Sequence, residues 1–269
     1  MKKLILLSNL LLALFTVKAQ SVDSILLNYE KAAGGRPALQ AIKTLQFATV
    51  VNVDFMNQKM EIGIEHYKED SKLYRRDVQG MMGIKGSFSM ITDTAGYVST
   101  PAVQGYGEYQ GREASITKMD TAQLQALQYE LDCNGPFGFL VNYAAKGHKI
   151  ELAGKAKANK VDCYKLKVTL KSGQQMVYYI SSVDYSVVQS EAIGKVALEQ
   201  LGLESLMRMM GSDRANSLKV TTIYTNYKDF GGVKFPTKET FQVGSADLNM
   251  STSSIVVNEP IDAAKYKAK

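Results

Sequence analysis

The sequence contains no tryptophan, and only two cysteines, two histidines and five prolines. It has no Gly-x-Ser-x-Gly elbow, no His-Glu-x-x-His helix, no phosphate-binding loop and no glycine-rich dinucleotide turn. The common serine-hydrolase, zinc-protease and nucleotide-dependent chemistries therefore lack their usual residues. His66, in EHYKED, reads as a strand end running into a solvated turn, and His148, in KGHKIEL, as a loop residue ahead of a strand. No metal site, no cofactor and no catalytic residue is expected. A hydrolase built on two carboxylates would leave no such trace and stays open as an alternative.

Long apolar runs are also scarce. Leu4–Val17 is one, but it is shorter than the ~20 residues of a membrane span. It follows Lys2 and Lys3 and leads into Val17-Lys18-Ala19. That order marks residues 1–19 as a secretory signal peptide cleaved after Ala19. No cysteine follows the cut for lipid attachment. Residues 20–269 are expected as one soluble, exported domain in a bacterial periplasm. Removing Lys2, Lys3 and Lys18 from the formal charge of +6 leaves about +3. The remaining lysines form no cluster, so nucleic acid is not an expected partner. Cys133 and Cys163 would sit in a compartment that permits disulfides. A bridge would close a loop of about thirty residues and stabilise the fold by roughly 3–4 kcal/mol. The bridge is the expectation, and two buried free thiols are the alternative.

What the chain does have is periodicity. In SVDSILLNYEKAAGG, Val22, Ile25, Leu26 and Tyr29 recur at helical spacing, and Gly34 and Gly35 stop the helix. Pro37 suits the first turn of a second short helix. Period two then takes over. Leu45, Phe47, Val51, Val53 and Phe55 share one face, as do Met60, Ile62 and Ile64. In CYKLKVTLK, Tyr164, Leu166, Val168 and Leu170 alternate with Lys165, Lys167 and Lys171. Further strands follow in QMVYYI, DYSVVQSE, LKVTTIYTNYKDF, VKFPTKETFQVG and LNMSTSSIVVN, with turn signals KEDSK, KSGQ, DFGG and VGSAD between strands. Short links predict antiparallel meander pairing. One helical island runs from MDTAQLQAL to NYAAKG, capped by Asp120 or Thr121 and broken at Asn134-Gly135-Pro136. The other is the methionine- and leucine-rich VALEQLGLESLMRMMGS from Val196. It suits a core helix, a membrane contact or a pocket wall. The predicted fold class is mainly β with helices on one face.

Several stretches resemble the periplasmic lipoprotein-carrier (LolA-like) superfamily, within it the outer membrane lipoprotein-sorting protein group. They are ILLNYEKAAGGRPALQAIKTLQF, MITDTAGYVSTP, the segment from MDTAQLQAL to QQMVYYIS, YTNYKDFGGVKFPTKETFQVG and IVVNEPIDAAKY. Their order and spacing carry the likeness over most of the chain. Tyr97 stands where the family usually has Trp. The resemblance implies an unclosed antiparallel half-barrel wrapped over helices, with an apolar cavity between them. It implies a non-enzymatic, monomeric carrier of lipid or lipoprotein acyl chains, with a membrane release or acceptor protein as a further partner. On that reading Phe47, Val51, Val53, Phe55, Met60, Ile62, Ile64, Phe88 and Met90 wall the cavity from the sheet, and Phe137 and Leu140 from the first island. Leu201, Leu206, Met209 and Met210 face in from a lid, and Arg75 or Arg76 is the strand arginine that holds it shut. The alternative is an envelope adaptor that binds another protein, its cavity packed shut.

Overall fold

The computed structural model describes residues 20–55, 58–80, 85–105, 110–194, 196–197, 217–244 and 246–269. The expected signal peptide, and the Val196 segment beyond Ala197, lie outside them.

Helix α1 (Val22–Ala32) starts where the Ser21 hydroxyl accepts the Ser24 N–H at 3.2 Å. It buries Ile25, Leu26 and Tyr29, the face that the spacing predicts. Gly34 ends it at φ +126, and a Cβ there would lie 2.1 Å from the Gly232 carbonyl oxygen. The glycine thus serves both a positive φ and a close backbone approach. Helix α2 (Arg36–Ala41) follows, with Pro37 in its first turn.

Six strands come next: β1 (Thr44–Phe55), β2 (Gln58–Glu69), β3 (Leu73–Val78), β4 (Ser87–Ile91), β5 (Gly96–Thr100) and β6 (Ser115–Lys118). Helix α3 (Thr121–Leu127) and two 3-10 turns, Gln128–Leu131 and Gly138–Leu140, then form a crossing. Seven more strands complete the sheet: β7 (Lys149–Ala158), β8 (Val161–Thr169), β9 (Gln175–Ser181), β10 (Val187–Ile193), β11 (Lys219–Phe230), β12 (Val233–Val243) and β13 (Ala246–Val257). A last 3-10 turn spans Ala263–Tyr266.

The strands of the described residues form one antiparallel sheet in the order β6-β5-β4-β3-β2-β1-β13-β12-β11-β10-β9-β8-β7. It consists of two meanders joined where the first strand pairs with the last. The edges β6 and β7 do not meet, so the sheet is an open half-barrel. The crossing between β6 and β7 must therefore run from one edge to the other. It does so over the inner face, where Phe137, Phe139 and Leu140 join α1 and the inward side chains of the strands in one core. Asp120 caps α3: its carboxylate accepts the Gln123 N–H at 2.7 Å, and the Gln123 side chain accepts the Asp120 N–H at 3.1 Å. Edge β7 carries Lys149, Lys155 and Lys157, charges that discourage pairing with another chain.

Two expectations change here. Phe88 and Met90 lie on the outer face, not on the cavity wall. In the β3–β4 register they sit opposite Asp77 and Arg75, whereas Tyr74, Arg76 and Val78 point inward with Ile64 and His66. They pack with Leu73 under the C-terminal segment, against Ile261 and Ala268. Period two places them correctly relative to each other but does not say which face of the sheet is covered by helices. The cysteines are free as well. Cys133 lies in the inner core, while Cys163 belongs to a small cluster with Ala158, Tyr179 and Val188. Tyr164, Leu166 and Val168 point inward. The neighbouring Cys163 therefore points out through the sheet, and no bridge to Cys133 can form.

Candidate functional site

The inner face of β1 and β2 is built as its alternation predicts. Val51, Ile62 and Ile64 are buried in the main core with Phe137 and Leu140, Phe47 packs against them, and Met60 is half-buried. The side chains of Val53 and Phe55, and all of Leu201, Leu206, Met209 and Met210, lie outside the described residues.

His66 is inward and buried, not a solvated strand end. Its ring stacks on Phe47, its cross-strand partner, with centroids 4.1 Å apart, and Nε2 lies 3.2 Å from the Thr49 hydroxyl. Burial, with Arg76 and Lys68 nearby, holds its pKa well below the usual histidine value. It is a neutral core residue. His148 is also buried, and its Nδ1 accepts the Lys171 N–H at 3.0 Å. Among the described residues no cluster of histidine, cysteine and acid side chains could hold a metal ion.

A cavity of about 150 Å³ opens between the crossing and the strands β2, β9, β11 and β12. Aromatic rings line much of it. Phe137 stands edge-on to Tyr224 at 4.9 Å and to Tyr178 at 5.9 Å, and Phe139 lies 5.1 Å from Tyr178. Tyr224 and Tyr227 both point inward although their spacing is odd. Between them Asn226, at φ +55, drops out of the β11–β12 ladder, which keeps one register on either side. The Tyr224 and Ser190 hydroxyls hydrogen-bond at 2.9 Å, and the Tyr227 hydroxyl donates to the Val187 carbonyl at 2.7 Å. Burial raises the pKa values of Tyr178, Tyr224 and Tyr227, so all three stay neutral.

The same cavity holds charge. Lys68 donates to Glu130 at 3.2 Å. Glu239 projects from β12, and burial pushes its carboxyl up to about 7. Among the described residues it has no ion-pair or hydrogen-bond partner. Two buried hydroxyl oxygens in the core, Tyr29 Oη and Thr222 Oγ1, also lack a partner among the described residues. Each such group costs about 1–3 kcal/mol.

Tyr129 and Asp132 also line a second, larger cleft of about 680 Å³. The charged or titratable side chains of Asp70, Asp93, Lys146, His148 and Lys171 line it together with the apolar Leu131 and Leu170. Lys146 ties the crossing together through Asp132, the Asn134 side chain at 3.1 Å and the Gly138 carbonyl at 2.9 Å.

The two candidate arginines separate by face. Arg76 is inward and buried, 5.8 Å from the Tyr74 ring. Arg75 is outward. Its guanidinium lies 4.2 Å above the Phe88 ring, pairs with Asp77 at 2.6 Å and donates to the Lys267 carbonyl at 2.8 Å. Arg75 therefore anchors the C-terminal segment. Lys265 reinforces that segment through Asp77 at 2.7 Å.

The fold has known counterparts. A LolA superfamily protein from Nitrosomonas europaea superposes with a TM-score of 0.56 over 93% of this chain and 99% of its own, at 11% identity. A domain from Vibrio parahaemolyticus named for outer membrane lipoprotein sorting does so at 0.53, over 91% and 97%, with 8% identity. The chain has the LolA-like fold. At this identity the likeness lies in the backbone arrangement. No family model matches the sequence, and no curated protein does.

Within the LolA-like half-barrel, the cavity differs from the one the sequence suggests. Of the expected wall residues, Phe137 lines it, while Val51, Ile62, Ile64 and Leu140 are buried around it in packed core. Tyr178, Tyr224, Glu239, Lys68 and Glu130 line it too, although no motif or spacing marks them as a group. Parity alone places Tyr178 inward, opposite Leu166. Nothing in the sequence brings it to Glu239, which is 61 residues away.

Proposed function

We propose that the chain is a non-enzymatic carrier of lipid or lipoprotein acyl chains, exported to the periplasm by a cleaved leader. The observation that carries the reading is the LolA-like half-barrel, matched over more than nine-tenths of both chains. Among the described residues no helix is long and apolar enough to cross a membrane. The physical rationale is burial. A sixteen-carbon tail gains on the order of 10 kcal/mol at ~0.8 kcal/mol per CH₂. A space of 150 Å³ accepts a benzene-sized group, not a tail. Tail entry therefore requires the crossing to swing off the sheet. Such a movement would break bonds that include Lys68 to Glu130, the Ser71 N–H to the Leu131 carbonyl at 2.9 Å, the Cys133 N–H to Asp70 at 3.4 Å and the Tyr143 hydroxyl to Asp23 at 3.0 Å, and would expose Phe137, Phe139 and Leu140. A membrane release or acceptor protein would act at that opening.

The packed inner face of β1 and β2 favours a second reading, an envelope adaptor whose interior stays shut. Native mass spectrometry of protein from its own compartment separates the two. Added mass at lipid values, diminished by Met60→Glu with little loss of thermal stability, is the expected result. A clean apo mass with a co-purifying protein supports the adaptor and ends the carrier proposal.

A further inference from the structure

The lining of the smaller cavity is an unusual surface to present to a hydrocarbon. Five rings, from Tyr129, Phe137, Phe139, Tyr178 and Tyr224, enclose much of it, with Tyr129 edge-on to Phe139 at 6.1 Å. An aromatic ring attracts a cation that sits over its face. Glu239 stands in the same wall. It is the carboxylate there without a counter-ion among the described residues, because Glu130 is paired with Lys68 and Asp132 with Lys146. The volume of about 150 Å³ matches a trimethylammonium or ethylammonium group and excludes a whole phospholipid. Tyr129 and Asp132 line both this cavity and the larger cleft, so the two spaces are neighbours.

We propose that this cavity binds an organic ammonium group, primary or quaternary, with Glu239 as its counter-ion and the aromatic rings as its walls. The site does not depend on the acyl-carrier reading, since a tailless amine is sufficient to fill it.

The pH response follows from the groups around Glu239. They are Tyr178 from β9, Tyr224 and Tyr227 from β11, Lys68 from β2, and Tyr129, Glu130 and Asp132 from the crossing. The β9 and β11 tyrosines stay neutral, and Lys68 with Glu130 cancels. Glu239, with a carboxyl near 7, is the group that changes charge around neutrality. A cation needs it ionised, so binding strengthens as pH rises through that value.

Choline and its uncharged isostere 3,3-dimethylbutan-1-ol are titrated into the full protein, followed by calorimetry and by tyrosine emission. Choline is expected to bind roughly tenfold or more tightly than the isostere at pH 8. Its affinity should fall about tenfold between pH 8 and pH 6. Glu239→Gln should abolish the preference for the cation and the pH dependence together. Phe137→Leu should weaken choline while leaving the pH dependence in place, and thermal melts of both variants verify folding. Equal affinity for choline and isostere, an unchanged Glu239→Gln, or no choline binding would overturn the proposal. Monomeric dodecylphosphocholine distinguishes the source: tighter binding than choline assigns the group to a lipid headgroup, equal binding to a free amine. Choline binding by a protein that carries no lipid mass would uphold this site while removing the carrier.

Discussion

Glu239 illustrates how one residue can hold a fold below its best stability. Burial raises its carboxyl to about 7 from an ordinary value near 4.3. The folded state thus prefers the protonated form. Its contribution is fully present below about pH 4 and is lost as pH rises through 7. Glu239→Gln is expected to stabilise the protein at pH 8 by on the order of 1–2 kcal/mol, and hardly at all at pH 4, in urea titrations. His66 has the opposite sign: its pKa is depressed, so its contribution is lost as pH falls below about 6.5. The cysteines give a second residue-scale prediction. Burial pushes Cys133 up to about 12 and raises Cys163 as well. Neither should react with a thiol reagent in the native state, and both should react in urea, as two mass additions after alkylation. One addition or none in the denatured chain would contradict the free-thiol arrangement. The sequence offers the clue to it, since Cys163 alternates with the inward Tyr164, but not the decisive fact that Cys133 lies on the other side of the sheet.

At the scale of elements, the turn after α1 and the C-terminal segment are the joints to test. Gly34 meets the Gly232 carbonyl at the β11–β12 turn, and the Lys234 N–H donates to the Ala33 carbonyl at 2.9 Å. Gly34→Ala combines positive-φ strain with a backbone collision, and should cost about 2 kcal/mol or more in denaturant unfolding. Truncation after Pro260 removes the cover of Leu73, Phe88 and Met90 and the carbonyls held by Arg75. A loss of about 2–4 kcal/mol is expected from the exposed apolar surface. A truncated protein that melts like the full chain would mean that this face is covered in some other way. Helix α1 and strand β8 are readable from spacing alone because one face of each is buried against the same core. Strand β6 is not, because Ser115–Lys118 is exposed throughout and alternation has nothing to mark.

For the whole molecule, the crossing between the two free edges is the decisive piece. It closes the half-barrel over the cavity and is tied to β2 chiefly through Lys68 and Glu130. Lys68→Met should loosen it, raising amide hydrogen exchange across residues 128–133 several-fold while strands β11 to β13 keep their protection. Uniform protection in that variant would mean the interior does not open this way, and a tail-carrying role would lose its entry.

The sequence by itself determined the alternating strands, the first helix with its glycine stop, the capped α3 and the antiparallel order, because these depend on neighbours a few residues apart. Only the tertiary structure decided which face of each strand lies under the helices. That choice sent Phe88 and Met90 outward, kept Cys133 and Cys163 apart, and gathered Tyr178, Tyr224 and Glu239 around one space. The physical reason is that a period of two fixes which side chains point together, while burial depends on what the rest of the chain lays over them.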